Sequence, residues 1–224
     1  MLKVLGFRPI LLAILILVTP IATSMIVVDF QRFHTLMASK YGSQKVQVSR
    51  QWEQLIRQAA HLSDQEKIAQ VNRFVHRNVR YMTDMQLYGQ EDYWATPLET
   101  FGQGLGDCED YAIAKYVTLR AMGMPDDKLR LIYVRAKIAQ GLGHRIEAHM
   151  VLGYYATPNA EPLILDSLIP EILPASQRPD LTPVFSFNAQ GLWAGNQRAN
   201  QSPTARLSRW RSVLDRMARE GIAH

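Results

Sequence analysis

Apolar side chains in the first half of the chain recur every three or four residues, a spacing that predicts amphipathic helices packed on a core. One such helix is predicted within residues 45–61. A second is predicted to begin near Ser63, because a serine followed three residues later by Glu66 is the pattern of a helix capping box. His76 falls in this second helix, where we expect a surface or boundary histidine rather than a ligand.

Residues 83–106 do not follow this spacing and contain Pro97 and four glycines, so the segment is predicted to be a long loop. A long loop that leads directly into an unusual residue often shapes an active site. Gly102, Gly104 and Gly106 lack the lysine and hydroxyl partners of a phosphate-binding loop. We therefore expect these glycines to let the backbone approach the following helix closely.

A further helix is predicted from Cys108 to about Met122, with Asp107 as its N-cap and Gly123 after its last turn. Few polar side chains interrupt it after its first turn. A helix that is apolar nearly all round is a buried helix, so this segment is predicted to lie in the core.

The pattern then changes to short apolar runs that are typical of strands, within residues 129–138, 148–155 and 162–169. The connections between these runs are rich in turn residues, which predicts an antiparallel meander. Residues 174–200 show no regular pattern and are predicted to be irregular. Helices followed by a meander indicate the α+β class.

The net charge of +5 is concentrated near the end of the chain. Residues 198–220 hold six arginines and two acidic residues, a local charge of +4, so the remainder is close to neutral. This argues against an extended nucleic-acid-binding face, which needs basic residues clustered across the fold. Within this segment, residues 202–220 predict a basic helix whose apolar face docks on the domain rather than on a membrane.

The N-terminal segment has the features of an export signal. Basic residues precede an apolar stretch, and small residues at 22–24 offer a cleavage site. No charged residue occurs in residues 9–28, so the segment could also cross a bilayer uncleaved. We predict a signal peptide or an N-terminal membrane anchor over residues 1–28 and a single domain over residues 29–224.

Cys108 is the only cysteine in the chain, so there is no internal disulfide to form. It lies between Asp107 and Glu109, with Asp110 next, at the start of the predicted buried helix. The helix dipole lowers the pKa of a thiol at this position, whereas carboxylates raise it. Composition alone leaves two roles open, an inert core residue or a thiol retained for its reactivity.

A nucleophilic cysteine needs a base and a residue that orients the base. His149 begins the second predicted strand region and Asp166 ends the third, so a hairpin would bring the two to one end of the sheet. Cysteine, histidine and aspartate in this order match the roles of a papain-type triad. His144 is a competing base, but it falls in a predicted turn where its position would be poorly defined.

Three stretches carry a resemblance to a known family: DYWATPLETFGQGLGDCEDYAIAKYVTLRAMGMP, AHMVLGYY and LILDSL. From about residue 50 to about residue 190 the chain resembles the bacterial transglutaminase-like cysteine proteinases of the LapG type. The resemblance implies a papain/transglutaminase-like core, with N-terminal helices and a buried cysteine-bearing helix packed on an antiparallel sheet. It also implies that Cys108 is the nucleophile, His149 the general base and acid, and Asp166 the residue that orients His149.

The same resemblance implies a periplasmic, calcium-dependent endopeptidase with Asp107 and Glu109 as calcium ligands. Asp110 is a weaker addition, because it could serve only to cap the helix. Calcium prefers carboxylate and carbonyl oxygens, and a bound ion would neutralise the acids around the thiol. Without the resemblance these acids need no metal, since acids are favourable at helix starts. The segment lacks the glycine and glutamate of an EF-hand loop.

Members of the family cut large surface adhesins near the N-terminus, at paired alanines, and so release cells from biofilms. An inner-membrane receptor for cyclic di-GMP sequesters them. The resemblance therefore implies an adhesin as substrate and such a receptor as inhibitor. Contact with the membrane is expected only through an uncleaved N-terminal segment.

Two other functions stay open. A transglutaminase or amide acyltransferase would use the same triad with a different acceptor, and a non-catalytic calcium-dependent binding module would leave Cys108 inert. In an enzyme, the oxyanion hole should include the main-chain N–H of Cys108 and a second donor from the preceding loop. Trp94 and Gln103 are the candidates for that donor.

Overall fold

A computed structural model describes residues 25–141, 143–195, 197–200 and 202–223. Most of the predicted export segment lies outside the described residues. Within the described ranges, no helix is long and apolar enough to cross a membrane. The structure combines helices with an antiparallel sheet, which confirms the predicted α+β class.

The helices lie mainly in the first half of the chain and near its end. They are α1 (Phe30–Tyr41), α2 (Val46–Arg57), α3 (Asp64–Asn78), α4 (Asp84–Tyr88), α5 (Pro97–Gln103), α6 (Cys108–Ala121), α7 (Pro203–Arg206) and α8 (Ser208–Arg219). The two predicted N-terminal helices correspond to α2 and α3. The predicted capping box is present, because Ser63 Oγ accepts from the N–H of Glu66 and the Glu66 carboxylate accepts from the N–H of Ser63.

The strands lie mainly in the second half of the chain. They are β1 (Val27–Val28), β2 (Arg80–Tyr81), β3 (Leu105–Gly106), β4 (Leu129–Gln140), β5 (Gly143–Tyr154), β6 (Leu163–Leu165), β7 (Leu173–Pro174), β8 (Leu181–Phe187), β9 (Leu192–Ala194), β10 (Gln197–Arg198) and β11 (Ile222–Ala223). The central sheet has the order β10–β9–β8–β4–β5–β6–β7, with all neighbours antiparallel. Strands β4, β5 and β6 form the predicted meander, and the short strand β7 extends it.

Two segments that the sequence predicted to be irregular are regular in the structure. Residues 83–106 are not one loop, because they contain α4, α5 and β3. Helix α5 has its own capping box, in which Thr96 Oγ1 accepts from the N–H of Glu99. Residues 174–200 contain β8, β9 and β10, and β8 pairs with β4. Pairing with an existing strand supplies the hydrogen bonds that a local apolar pattern did not indicate.

The connection between β4 and β5 was also predicted wrongly. Residues 139–147 were expected to form a turn-rich connection, but the strands continue through most of it and only positions 141 and 142 separate them. The ladder extends past the apolar runs because backbone pairing needs no burial of side chains.

Helix α6 is buried along its whole length, as predicted. It packs against α3 and α5 on one side and against β4 and β5 on the other. Gly106, directly before the helix, allows the predicted close approach, since a Cβ there would lie 2.7 Å from Asp110 Oδ2. The start of α6 is therefore fixed against both the helical layer and the sheet.

Helix α8 docks on the domain, as predicted, with Trp210, Val213 and Met217 fully buried. The helix also contacts the segment that precedes α5, through hydrogen bonds from Arg216. Arg216 donates from Nη1 to Tyr93 Oη at 2.6 Å and from Nη2 to the carbonyl of Trp94.

Arg216 also forms an ion pair with Glu99 on α5, and both side chains are mostly buried. Replacing Arg216 with alanine should lower the free energy of unfolding by about 3 kcal/mol, because Glu99 loses its cation. Arg219→Ala, at an exposed position on the same helix, should change it by about 0.5 kcal/mol or less. Urea denaturation of both variants checks this, and equal losses would contradict the assigned contact.

Candidate active site

Cys108 is the first residue of α6 and is almost completely buried. Its thiol donates to Glu109 Oε2 at 2.7 Å. Burial raises the pKa of Cys108 well above its ordinary value, and the charges of Glu109 and Asp107 raise it further. A hydrogen bond from the main-chain N–H of Met150 acts in the opposite direction. While its acidic neighbours are charged, the thiol is favoured over the thiolate.

Strand β5 brings His149 to the start of α6. Met150, whose N–H approaches the Cys108 thiol, is the next residue along the strand. Strand β6 pairs with β5 only over residues 152–154, and the first turn of α6 lies beside β5 where that pairing has ended. The main chain next to the base candidate therefore approaches the nucleophile candidate where the β5–β6 pairing has ended.

His149 and Asp166 form a hydrogen-bonded pair, with 2.7 Å between His149 Nε2 and Asp166 Oδ1. Both residues are buried. Burial opposes ionisation of Asp166, but hydrogen bonds from His149 and Arg178 outweigh it and hold the pKa of this carboxyl well below its ordinary value. An ionised Asp166 accepts from Nε2–H, so Nδ1 is the ring nitrogen that can exchange a proton with a thiol.

Three further side chains hold Asp166, and sequence reasoning missed all of them. Arg178 Nη2 donates to Asp166 Oδ2 at 2.6 Å. The main-chain carbonyl of Asp166 accepts from Lys115 Nζ at 2.7 Å and lies 2.9 Å from His76 Nε2. Lys115 comes seven residues after Cys108 on α6, which is about two helical turns and therefore the same face. His76 is half-buried, as a boundary histidine was expected to be, but it contacts the site.

Two overlapping acidic groups surround the start of α6. The first group consists of Asp107, Cys108 and Glu109, and the second of Asp84, Asp107 and Asp110. Within each group the possible ligand atoms lie within 4.8 Å of one another. Asp84 belongs to the short helix α4 and was not predicted. An acid in the first turn of a helix is common without any ligand, so no local signal marks this one.

Burial and mutual repulsion raise the pKa values of these acids. Burial and the charge of Glu109 raise the pKa of Asp107 to about 7, and burial and the charge of Asp107 raise that of Asp84 to about 7. Burial also raises the pKa of Glu109, and that of Asp110 lies well above its ordinary value. The cluster is therefore a site where several negative charges are costly together.

Both oxygens of Asp110 accept hydrogen bonds from main-chain N–H groups. Oδ2 accepts from the main-chain N–H of Asp107 at 3.3 Å, and Oδ1 accepts from that of Ala95 at 2.7 Å. These bonds tie the segment before α5 to the first turn of α6. The capping role considered for Asp110 is thus present in the structure.

The other residues considered from the sequence lie elsewhere. His144 is not in a turn but in the exposed part of β5. Trp94 donates its Nε1–H to Asp92 Oδ1 at 2.9 Å, and Gln103 is exposed at the end of α5. Neither side chain is placed as an oxyanion donor by these contacts.

The family model described as bacterial transglutaminase-like cysteine proteinase BTLCP matches residues 37–180. The chain belongs to this family. Solved structures of Legionella pneumophila LapG are similar to it: one has 39% identity and a TM-score of 0.71, covering 85% of this chain and 97% of LapG. No curated protein matches. These comparisons confirm the predicted family, the transglutaminase-like fold and the assignment as a cysteine protease.

Two further Legionella LapG structures bear on metal binding. A calcium-bound form has 40% identity and a TM-score of 0.70, covering 85% of this chain and 99% of that one. An EGTA-treated form has 38% identity and a TM-score of 0.72, covering 87% and 100%. The present cysteine proteinase resembles both forms to the same degree.

The donor set of this cysteine proteinase fits a calcium ion. The buried atoms Asp84 Oδ1 and Asp107 Oδ1 have no hydrogen-bond partner within the described part of the chain. Buried carboxylate oxygens without partners are costly, and carboxylate oxygen is the ligand type that calcium prefers. Asp84 and Asp107 therefore offer unpartnered carboxylate oxygens, and ligand atoms of Asp107 and Glu109 lie within 4.8 Å of each other.

Replacing Lys115 with methionine should lower kcat by up to about 100-fold with little change in KM, because the main chain at Asp166 loses a donor and His149 loses its alignment. Lys128→Met removes a lysine that pairs with Asp64 away from this site, and it should leave both constants unchanged. Steady-state kinetics on folded variants decides the point. A rise in KM with kcat unchanged would show that Lys115 does not position the pair.

Proposed function

We propose that this cysteine proteinase is a calcium-dependent endopeptidase of the cell envelope that cleaves a large surface adhesin. In the proposed mechanism His149 Nδ1 takes the proton of Cys108, and the thiolate attacks the carbonyl carbon of the scissile bond. The main-chain N–H of Cys108 donates to the developing oxyanion. The imidazolium then protonates the leaving amine, and His149 deprotonates the water that hydrolyses the thioester.

The observation that carries this proposal is the buried hydrogen bond between His149 and an ionised Asp166 beside the start of α6. A buried carboxylate stabilises the imidazolium that forms when the thiol is deprotonated, and it fixes the tautomer of the neutral ring. Arg178 supports the same state, because it keeps Asp166 ionised.

Calcium dependence follows from the electrostatics of the start of α6. Asp84, Asp107 and Glu109 would hold the ion, whose charge would neutralise the acids that disfavour a thiolate at Cys108. Since the chain resembles the calcium-bound and EGTA-treated forms of Legionella LapG equally, we infer that the ion acts on this cluster and not on the overall fold.

Substrate and location belong to the same proposal. We expect the protein to be exported through residues 1–28 and to act in the periplasm, soluble or tethered, on the N-terminal region of an adhesin near paired alanines. Its cleavage would release cells from a biofilm, and an inner-membrane receptor for cyclic di-GMP would restrain it. Family membership supports these steps, together with the export pattern of the sequence.

Incubation of residues 29–224 with an adhesin N-terminal fragment should give a single cut at a paired-alanine site, read by intact-mass analysis. Cys108→Ala and His149→Ala should abolish the cut, because each removes a participant in proton transfer or attack. His144→Ala, at the exposed histidine of β5, is the matched control and should cut normally.

Retained cleavage by Cys108→Ala would refute the proposed nucleophile. Incorporation of a labelled amine into the fragment, without net hydrolysis, would instead identify an acyltransferase. No cut and no incorporation by the folded protein would favour a binding module.

Asp84→Asn should weaken calcium activation about tenfold to 100-fold, because it removes a candidate ligand that also contacts Asp107. Asp127→Asn, at an exposed acid away from the cluster, should leave the calcium titration unchanged. Calorimetric titration with calcium measures the affinity without relying on cleavage. Equal affinities for both variants would exclude Asp84 from the ion site.

A further inference from the structure

A groove of about 740 Å³ lies on the central sheet, lined by residues of β4, β5, β6 and β8. Its floor is a small apolar cluster separate from the main core, made by Ile132 and Val134 of β4, Val151 of β5 and Ile164 of β6. Its volume falls in the range of small-ligand sites, and none of the proposed catalytic steps uses it.

The walls of the groove combine aromatic rings with prolines. Tyr155 and Trp193 both lie beside one arginine, Arg130, and Pro158, Pro162 and Pro183 also line the groove. Rigid aromatic and proline surfaces are typical of grooves that hold extended peptides, because they provide contact area with little loss of side-chain entropy.

Arg130 lies against both rings, with its guanidinium carbon 4.2 Å from the ring centroid of Trp193 and 4.7 Å from that of Tyr155. Its Nε is buried and has no hydrogen-bond partner among the described residues. Over the same residues Arg130 forms no ion pair, and no acidic side chain lines the groove. Its positive charge is therefore stacked on aromatic rings but not balanced by any carboxylate among the described residues.

Arg178 lines the groove further along, and it is 4% exposed. Its Nη2 is shared between Asp166 and Asp180, so its charge is balanced by two carboxylates. Its Nη1 is buried without a hydrogen-bond partner in the described structure. A donor that is already compensated in charge suits a neutral acceptor, such as a peptide carbonyl, better than another anion.

We propose that this groove binds an extended peptide segment that carries an acidic side chain. The acidic side chain pairs with Arg130, apolar side chains cover the sheet floor, and a main-chain carbonyl accepts from Arg178. From Arg130 to Val134 the strand rises roughly 13 Å, which matches about four extended residues. A fatty acid would offer an acceptor at one end only, whereas two arginines of this groove have unpartnered donors.

The groove is connected to the His149–Asp166 pair. Arg178 both lines the groove and holds Asp166. The peptide would accordingly be a substrate segment away from the scissile bond, and this use rests on the proposed function. Peptide binding itself does not depend on proteolysis.

The test is selection of a heptapeptide phage library on full-length Cys108→Ala protein, with counter-selection on Cys108→Ala/Val184→Glu. Val184 lines the groove and is 48% exposed, so the added charge should repel an acidic peptide without disturbing the core. Selected peptides should contain an acidic residue within about four positions of apolar residues. Synthetic copies of the selected peptides are then labelled and titrated with the protein, and binding is read by fluorescence anisotropy. Each peptide is compared with a copy in which its glutamate or aspartate is replaced by glutamine or asparagine.

Arg130→Gln should weaken binding of these peptides about tenfold to 100-fold, as should neutralising their acid. Arg135→Gln is the matched control, because Arg135 is exposed on the same strand with its side chain on the opposite face, and it should leave the dissociation constant unchanged. Thermal denaturation of each variant confirms that it is folded.

Several outcomes would overturn the proposal. One is that every selected peptide also binds the Val184→Glu variant, so that none survives the counter-selection. Another is that the selected peptides bind equally well when their acidic residue is replaced by its amide. If no peptide is selected but decanoate, a fatty acid, binds and loses affinity in Arg130→Gln, the groove would be assigned to an amphipathic acid. A dimer in sedimentation velocity that Val184→Glu dissociates would assign it to a second copy of the chain. None of these results depends on cleavage, so they leave the proposed protease activity to be judged on its own.

Discussion

Asp166 is the residue on which the arrangement of the site depends. Its carboxylate binds His149 and Arg178, and its main-chain carbonyl accepts from Lys115 and lies within hydrogen-bond distance of His76. These contacts come from a strand, a loop and two helices, so helix–sheet packing converges on one buried acid. A buried carboxylate is tolerated only when it is paired and hydrogen-bonded, and His149 and Arg178 meet that requirement. Lys115 and His76 fix the main chain that carries it.

The start of α6 shows the opposite situation, in which negative charge is crowded and not compensated. Four acids lie near one thiol, and their pKa values and that of Cys108 are raised above their ordinary values. A helix N-terminus favours a thiolate, but here burial and the neighbouring carboxylates outweigh it. A bound cation would change this balance by local charge neutralisation, which gives a physical basis for control of a protease by calcium.

Local patterns predicted those parts of the fold whose stabilisation is local. The capping box at Ser63 and the apolar surface of α6 follow from neighbours in sequence, and both are present in the structure. Strand β8 and the outer half of the β4–β5 hairpin were missed, because their hydrogen bonds come from partner strands. Helix α5 was missed because its glycines and proline indicate a loop, although Thr96 and Glu99 form a capping box at its start.

The sequence by itself determined the family, the α+β class and the three candidate residues Cys108, His149 and Asp166, because these depend on a short specific stretch and on chain order. Only the tertiary structure decided which residues hold Asp166, that Asp84 joins the acidic cluster, and that two arginines face one groove. Lys115 and His76, for example, are 51 and 90 residues from the Asp166 carbonyl along the chain. Contacts of this kind arise when separate elements pack, and nothing in the local sequence around either partner records them.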